Sequence, residues 1–184
     1  MLPWFPAWCI EFDEAVSDPS VVVSKVNEWR PNDRWFILAE EAAGSESHLW
    51  TVWYSTRKKE VSGSMVARDV SAEFLRIISG THQISLAIER SGLSSGDKRA
   101  WIIYLPDFDV RGSLGDLTIP RSTYNDADEE ATRIQEHLGA RLLATRPIAT
   151  ISGLERIGAI DTGQQVEKGE MESLFKLHAA MADM

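Results

Sequence analysis

Residues 74–88 read FLRIISGTHQISLAI, and this stretch decides how the middle of the chain folds. Phe74, Leu75, Ile77 and Ile78 recur at the spacing of one helical face, and Gly80 stands where a glycine would end that helix. Ile84, Ala87 and Ile88 resume the same spacing until Gly92. Two helices therefore meet at a small polar corner, Ser79-Gly80-Thr81-His82-Gln83. Two readings of the corner stand side by side. Gly80 as a C-cap and Thr81 as the next N-cap would be the ordinary chemistry of a tight turn between helices. Alternatively, the first N–H groups of a helix starting there point outward unpaired and form a site for an anion.

Upstream, Leu49, Val52, Trp53 and Thr56 make one face of a longer helix that opens near Gly44-Ser45 and closes on Arg57-Lys58-Lys59. Alternation over Trp8–Phe12 predicts a first strand, Ser17-Asp18-Pro19 opens a helix reaching about Trp29, and Trp35–Ala39 reads as a buried strand. Downstream, the run Ala100–Leu105 stops at Pro106 and reads as a central strand, followed by a long loop, DFDVRGSLGDLTIPRSTYND. A helix is expected from about Asp128 to Leu138, with acidic residues in its first turn to complement the helix dipole. Leu142 to Ile160 holds a short strand and a helix containing Leu154 and Ile157, and from about Glu170 a helix places Met171, Leu174, Phe175 and His178 on one face. Trp29, Trp35, Trp53 and Trp101 fall on the predicted apolar faces. The order of elements is that of an α/β domain.

The chain has 184 residues, 43% hydrophobic and 26% charged, which is the composition of one globular domain. No apolar run approaches the roughly 18 residues needed to span a bilayer. The opening MLPWFPAWCIEF lacks a basic leader and carries two prolines, so no signal peptide is expected. Cys9 is the only cysteine, which excludes an internal disulfide and gives no extracellular signature, so a cytoplasmic protein is expected. A net charge of -9 argues against coating nucleic acid by bulk electrostatics. Residues 51–100 nevertheless hold 8 basic and 5 acidic side chains, and the corner lies inside this one basic block.

Metal binding fails on spacing, because His48, His82, His137 and His178 are scattered and Cys9 has no second thiol beside it. Cys9 reads as a packed thiol in a strand, and no nucleophile elbow, Walker A or dinucleotide-binding glycine pattern is present. Asp126, Asp128, Glu129 and Glu130 read as a solvated helix start, with a hard-cation site as the sharper alternative. Arg57, Lys58 and Lys59 complement a helix dipole, and near the 79–84 corner they and Arg68 would also attract phosphate.

The stretch 74–88 resembles the "L-x-x-L-S-G-T-R-Q-I-x-x-A-I" signature of the small kinase-binding regulatory subunits of the KEOPS tRNA-modification complex. The surroundings resemble the family too: His48-Leu49 opens the preceding helix, Arg57-Lys58-Lys59 closes it, Arg68 precedes the signature helix, and Glu155–Ile160 is similar to its "E-x-I-A-L" ending. The resemblance is specific over about residues 48–105 and extends over about 8–161. It implies an α/β fold with a mixed β-sheet flanked by α-helices in residues 1–161, leaving 162–184 as a helical extension packed on that domain or on a partner. It also implies a non-enzymatic subunit without cofactors. Such a subunit binds a small atypical kinase and ATPase, is linked through it to the threonylcarbamoyl transferase subunit, and holds the 3′ CCA tail of tRNA. By the same resemblance the tail site comprises Arg57, Lys58, Lys59, Arg68, Ser79, Gly80, Thr81, His82, Gln83 and Ile84, and the kinase-binding residues are Leu86, Leu154, Ile157 and Ile160. One departure stands out: the family usually has arginine where this chain has His82, which lacks a bidentate fork. The rivals are a kinase-binding adaptor that does not touch tRNA, and a small-molecule enzyme using Cys9 or the acidic run.

Overall fold

The computed structural model describes residues 2–184. In chain order the elements are β1 (Ala7–Glu11), α1 (Pro19–Trp29), β2 (Trp35–Ala39), α2 (Glu46–Ser62), α3 (Val70–Ile78), α4 (Ile84–Ser91), β3 (Arg99–Tyr104), α5 (Arg121–Leu138), β4 (Arg141–Leu143), α6 (Ile151–Arg156) and α7 (Met171–Ala180). A 3₁₀ turn, Met181–Asp183, continues α7. The strands form one sheet in the order β2-β3-β1-β4.

The class is α/β, but the pairings are all antiparallel where a mixed sheet was expected. The crossover β1-α1-β2 does produce two strands that run the same way. They are not neighbours, because β3 enters between them and opposes both. Composition explains that central position. Ala100 and Ile102 of β3 pack with Val26 of α1 and Ala127, Ala131 and Ile134 of α5, while Trp101 and Ile103 pack on the opposite face with α2, α3, α6 and α7. Side chains alternate across a strand, so a strand that is apolar on both faces is stable only between two helical layers.

Local signals set most helix ends. Asp18 caps α1 through the Ser20 amide with Pro19 in the first turn, Ser45 caps α2 through the His48 amide, and Asp69 caps α3 through the Ala72 amide. Two expectations need correction. α5 starts at Arg121, directly after Pro120, so Asp126–Glu130 lie beyond its first turn and do not complement its dipole. Asp128 instead accepts a hydrogen bond from Trp8 Nε1 at 2.7 Å, and Glu130 pairs with Arg133. Trp29 is 36% exposed at the rim, where it stacks on His137 of α5 with ring centroids 4.1 Å apart.

The last helix belongs to the core. Phe175 is fully buried in a slot made by two glycines: a Cβ on Gly44 would fall 2.5 Å from Phe175 Cγ, and one on Gly153 would fall 2.9 Å from Phe175 Cζ. His48 lies on a third side, with ring centroids 5.1 Å apart. Residues 171–183 thus pack on α2, α3 and α6 of the same domain. Among the described residues no helix is long and apolar enough to cross a membrane.

Candidate nucleic-acid interface

α3 ends in a paired hydrogen-bond motif: Gly80 N donates to Ile77 O at 3.0 Å and Thr81 N donates to Arg76 O at 3.3 Å. Gly80 takes the left-handed conformation this requires, at φ 59°, and a Cβ there would lie 2.6 Å from the His178 carbonyl oxygen. Ser79 is buried and turns inward, donating to Ser91 Oγ at 2.8 Å and so fastening α3 to α4. The N-cap of α4 is Gln83 rather than Thr81. Thr81 Oγ1 accepts from Gln83 N at 3.1 Å, and no side chain caps α4 itself. The first-turn amides of α4 therefore begin beside an exposed surface formed by His82, Gln83 and Ser85, with Ile84 half-buried at its edge.

A buried ion network stiffens the turn from below. Arg76 and Glu73 are both fully buried, with Arg76 Nη2 2.6 Å from Glu73 Oε1. Glu73 Oε2 also accepts from Val66 N and Ala67 N, pinning the loop before α3. Arg76 Nη1 donates to Thr81 O at 3.3 Å and Ala182 O at 2.9 Å, and Nη2 donates to Asp183 Oδ1 at 2.9 Å. Burial alone would push the Arg76 guanidinium down, but the Glu73 and Asp183 carboxylates outweigh it and raise it above the usual arginine range. From α7, His178 Nε2 lies 2.8 Å from both Ser79 O and Ile157 O. Carbonyls only accept, so that nitrogen carries the proton. Burial holds this imidazole below its ordinary value.

The expected cations do not converge on the corner. Arg57 is held by Glu60 at 2.7 Å and by the Phe108 and Asp107 carbonyls, and it shares Glu60 with Arg34. Lys58 is exposed, 5.4 Å from the centre of the Tyr54 ring. Arg68 is exposed before the first turn of α3, so the nine-residue helix, about 14 Å long, separates it from the corner. Lys59 does turn toward the corner, where its Nζ lies 2.8 Å from Asp183 Oδ2. Two arginines missed by the sequence reading also reach it: Arg76, and Arg90, whose Nη1 donates to Ser79 O at 3.0 Å. The Glu73-x-x-Arg76 spacing was visible as a helical ion pair, but its complete burial was not.

The residues expected to bind a kinase need the same revision. Leu154 and Ile157 are fully buried and Ile160 is 8% exposed, all within the core that receives α7, so their side chains are not available to a partner. Leu86 remains half-buried on α4. Apolar side chains that do reach solvent include Ile88 of α4 at 52%, Leu177 of α7 at 60%, and Met181 at 49%.

Cys9 is buried, and burial pushes its thiol further from the thiolate state. Among the described residues no three His, Cys, Asp or Glu side chains gather closely enough to hold a metal ion. No protein-family model matches the chain, and no curated protein matches it in sequence.

Proposed function

We propose that this protein is a non-catalytic subunit of a tRNA-threonylcarbamoylation complex of the KEOPS type, holding the single-stranded 3′ CCA end of tRNA at the α3–α4 corner while docking on a small atypical kinase. The observation that carries this reading is the start of α4: a helix without a side-chain cap opens beside the exposed His82 and Gln83. Unpaired N–H groups at a helix start donate hydrogen bonds to a phosphate, and Ile84 and the His82 ring offer surfaces on which a base can lie. The family resemblance falls on these same residues, and they sit in the one net-basic block of the sequence. For the kinase, exposed Ile88, Leu177 and Met181 together with Leu86 supply apolar area that the core residues do not.

Gel-shift titration of one tRNA with and without its CCA end tests the proposal. The intact tRNA is expected to bind at least about tenfold more tightly, corresponding to loss of one or two stacked bases. Equal affinity for the two forms would remove the tail site. It would favour the adaptor reading.

A further inference from the structure

We propose that Asp183 is a tethered competitor of the nucleic-acid ligand: its carboxylate occupies, between Lys59 Nζ and Arg76 Nη2, the place that a ligand phosphate takes when a single-stranded end reaches the corner. This inference rests on the function proposed above and adds a device that regulates it. The geometry is that of a bridged anion. Asp183 Oδ2 lies 2.8 Å from Lys59 Nζ and Oδ1 lies 2.9 Å from Arg76 Nη2, one oxygen for each cation, from elements that are far apart in sequence. A phosphate likewise presents a pair of acceptor oxygens, one for each cation.

The neighbouring residue covers the other part of the corner. His82 Nε2 lies 3.3 Å from the Met184 main-chain oxygen, so one short segment sits on both the cations and the exposed ring. That segment is built to exchange. Its carboxylate side chain is 45% exposed and reachable from solvent, whereas Ala182 beside it is 1% exposed and accepts from Arg76 Nη1, which keeps the segment attached when the carboxylate leaves. Arg76 is never stranded, because Glu73 stays bonded to it in either state. The Lys59–Asp183 pair is partly exposed on both sides and contributes little to stability, and buried Arg76 keeps Glu73, so replacing Asp183 by a phosphate costs little. The consequence is selectivity. A lone weak anion does not displace a carboxylate already held at high local concentration, whereas a strand that also engages the α4 amides does.

The test measures binding of CCA-ended tRNA by fluorescence anisotropy across roughly 50 to 200 mM salt, using wild type, Asp183→Asn, Asp183→Glu and Lys59→Gln. In the wild type the ligand exchanges with Asp183 and releases no counterion from Lys59. In Asp183→Asn the freed Lys59 holds a salt ion, so binding releases it. The expected result is about three- to tenfold tighter binding by Asp183→Asn at low salt, the scale of one charge-assisted contact. Its plot of log affinity against log salt should steepen by about 0.7 per cation freed. Asp183→Glu should match wild type, and adding Lys59→Gln to Asp183→Asn should cancel most of the gain.

If wild type binds the CCA end and Asp183→Asn binds it no better, this inference is wrong while the proposed function stands. If no variant binds, both fall. If Asp183→Asn alone binds, the competitor role is at its strongest. Should that variant melt too low to titrate, amide hydrogen exchange at Asp183 and Met184 of the wild type gives the answer, with Ala182 staying fastened to Arg76: faster exchange at those two residues on adding tRNA supports displacement, and unchanged or slower exchange there overturns it.

Discussion

Replacing Phe175 by alanine tests whether α7 is part of one cooperative core. The ring is fully buried between Gly44, Gly153 and His48. Removing a buried phenyl ring costs about 3–5 kcal/mol, a large share of the roughly 5–15 kcal/mol by which a domain is stable. For a chain of this size that lowers the melting temperature by about 6–20 °C. Gly44→Ala supplies the second arm, because the three nearest atoms to the new methyl all belong to Phe175, at 2.5, 2.7 and 2.9 Å. On its own the methyl overpacks the slot, at about 1–3 kcal/mol. With Phe175→Ala already in place, the methyl enters vacated space, and because Gly44 is not among the positive-φ glycines, alanine there gains about 0.4–1 kcal/mol through the unfolded chain. The two substitutions should therefore be non-additive by about 2–3 kcal/mol in the favourable direction. Urea unfolding followed by tryptophan fluorescence reads each corner of this cycle. Additivity to within about 0.5 kcal/mol, or a Phe175→Ala cost under about 1 kcal/mol, would show that α7 is not packed in the slot as described.

Two further perturbations follow from the corner and its surroundings. Gly63 and Gly80 both end helices in the left-handed region, at φ 67° and 59°, but only Gly80 faces a backbone atom close by. Gly63→Ala should cost about 1–2 kcal/mol from conformation alone, and Gly80→Ala clearly more in the same urea assay, since His178 O must move as well. His48 is fully buried, accepts from Gly44 N through Nδ1, and is held down to about 3 from its ordinary 6.5 by burial, with His178 and Lys176 adding to the effect. Its unfolded form binds a proton that its folded form does not, so this stabilisation is complete above about pH 6.5 and lost as pH falls toward 3. Between pH 7 and 5 the loss is about 2 kcal/mol. His48→Asn keeps an acceptor near Nδ1 without titrating, and should flatten that part of the pH–stability curve; an unchanged slope would assign it to other groups.

The helices were legible wherever their ends are written locally. Asp18-Pro19 and the apolar spacing of 84–88 predicted α1 and α4 to within a residue or two, because caps and periodicity act over one or two turns. The start of α5 was missed because the acidic run imitated a first turn, while Pro120, seven residues before Ala127, marked the real one. Strand order was not legible, since placing β3 between β1 and β2 depends on pairing across the whole chain.

By itself, then, the sequence determined an α/β chain whose middle turns from one helix to another at Ser79–Gln83, and it marked that turn as polar and glycine-dependent. Only the tertiary structure decided what surrounds the turn. Arg57 went to Glu60 and away from the corner, while Lys59 and Arg76 were brought to Asp183, a residue 107 positions beyond Arg76. Leu154 and Ile157, which the family resemblance assigned to a partner, were closed over by α7. The reason is physical: hydrogen bonds within a turn are set by neighbours in sequence, whereas charge pairing and burial are set by whichever distant segments the core brings into contact.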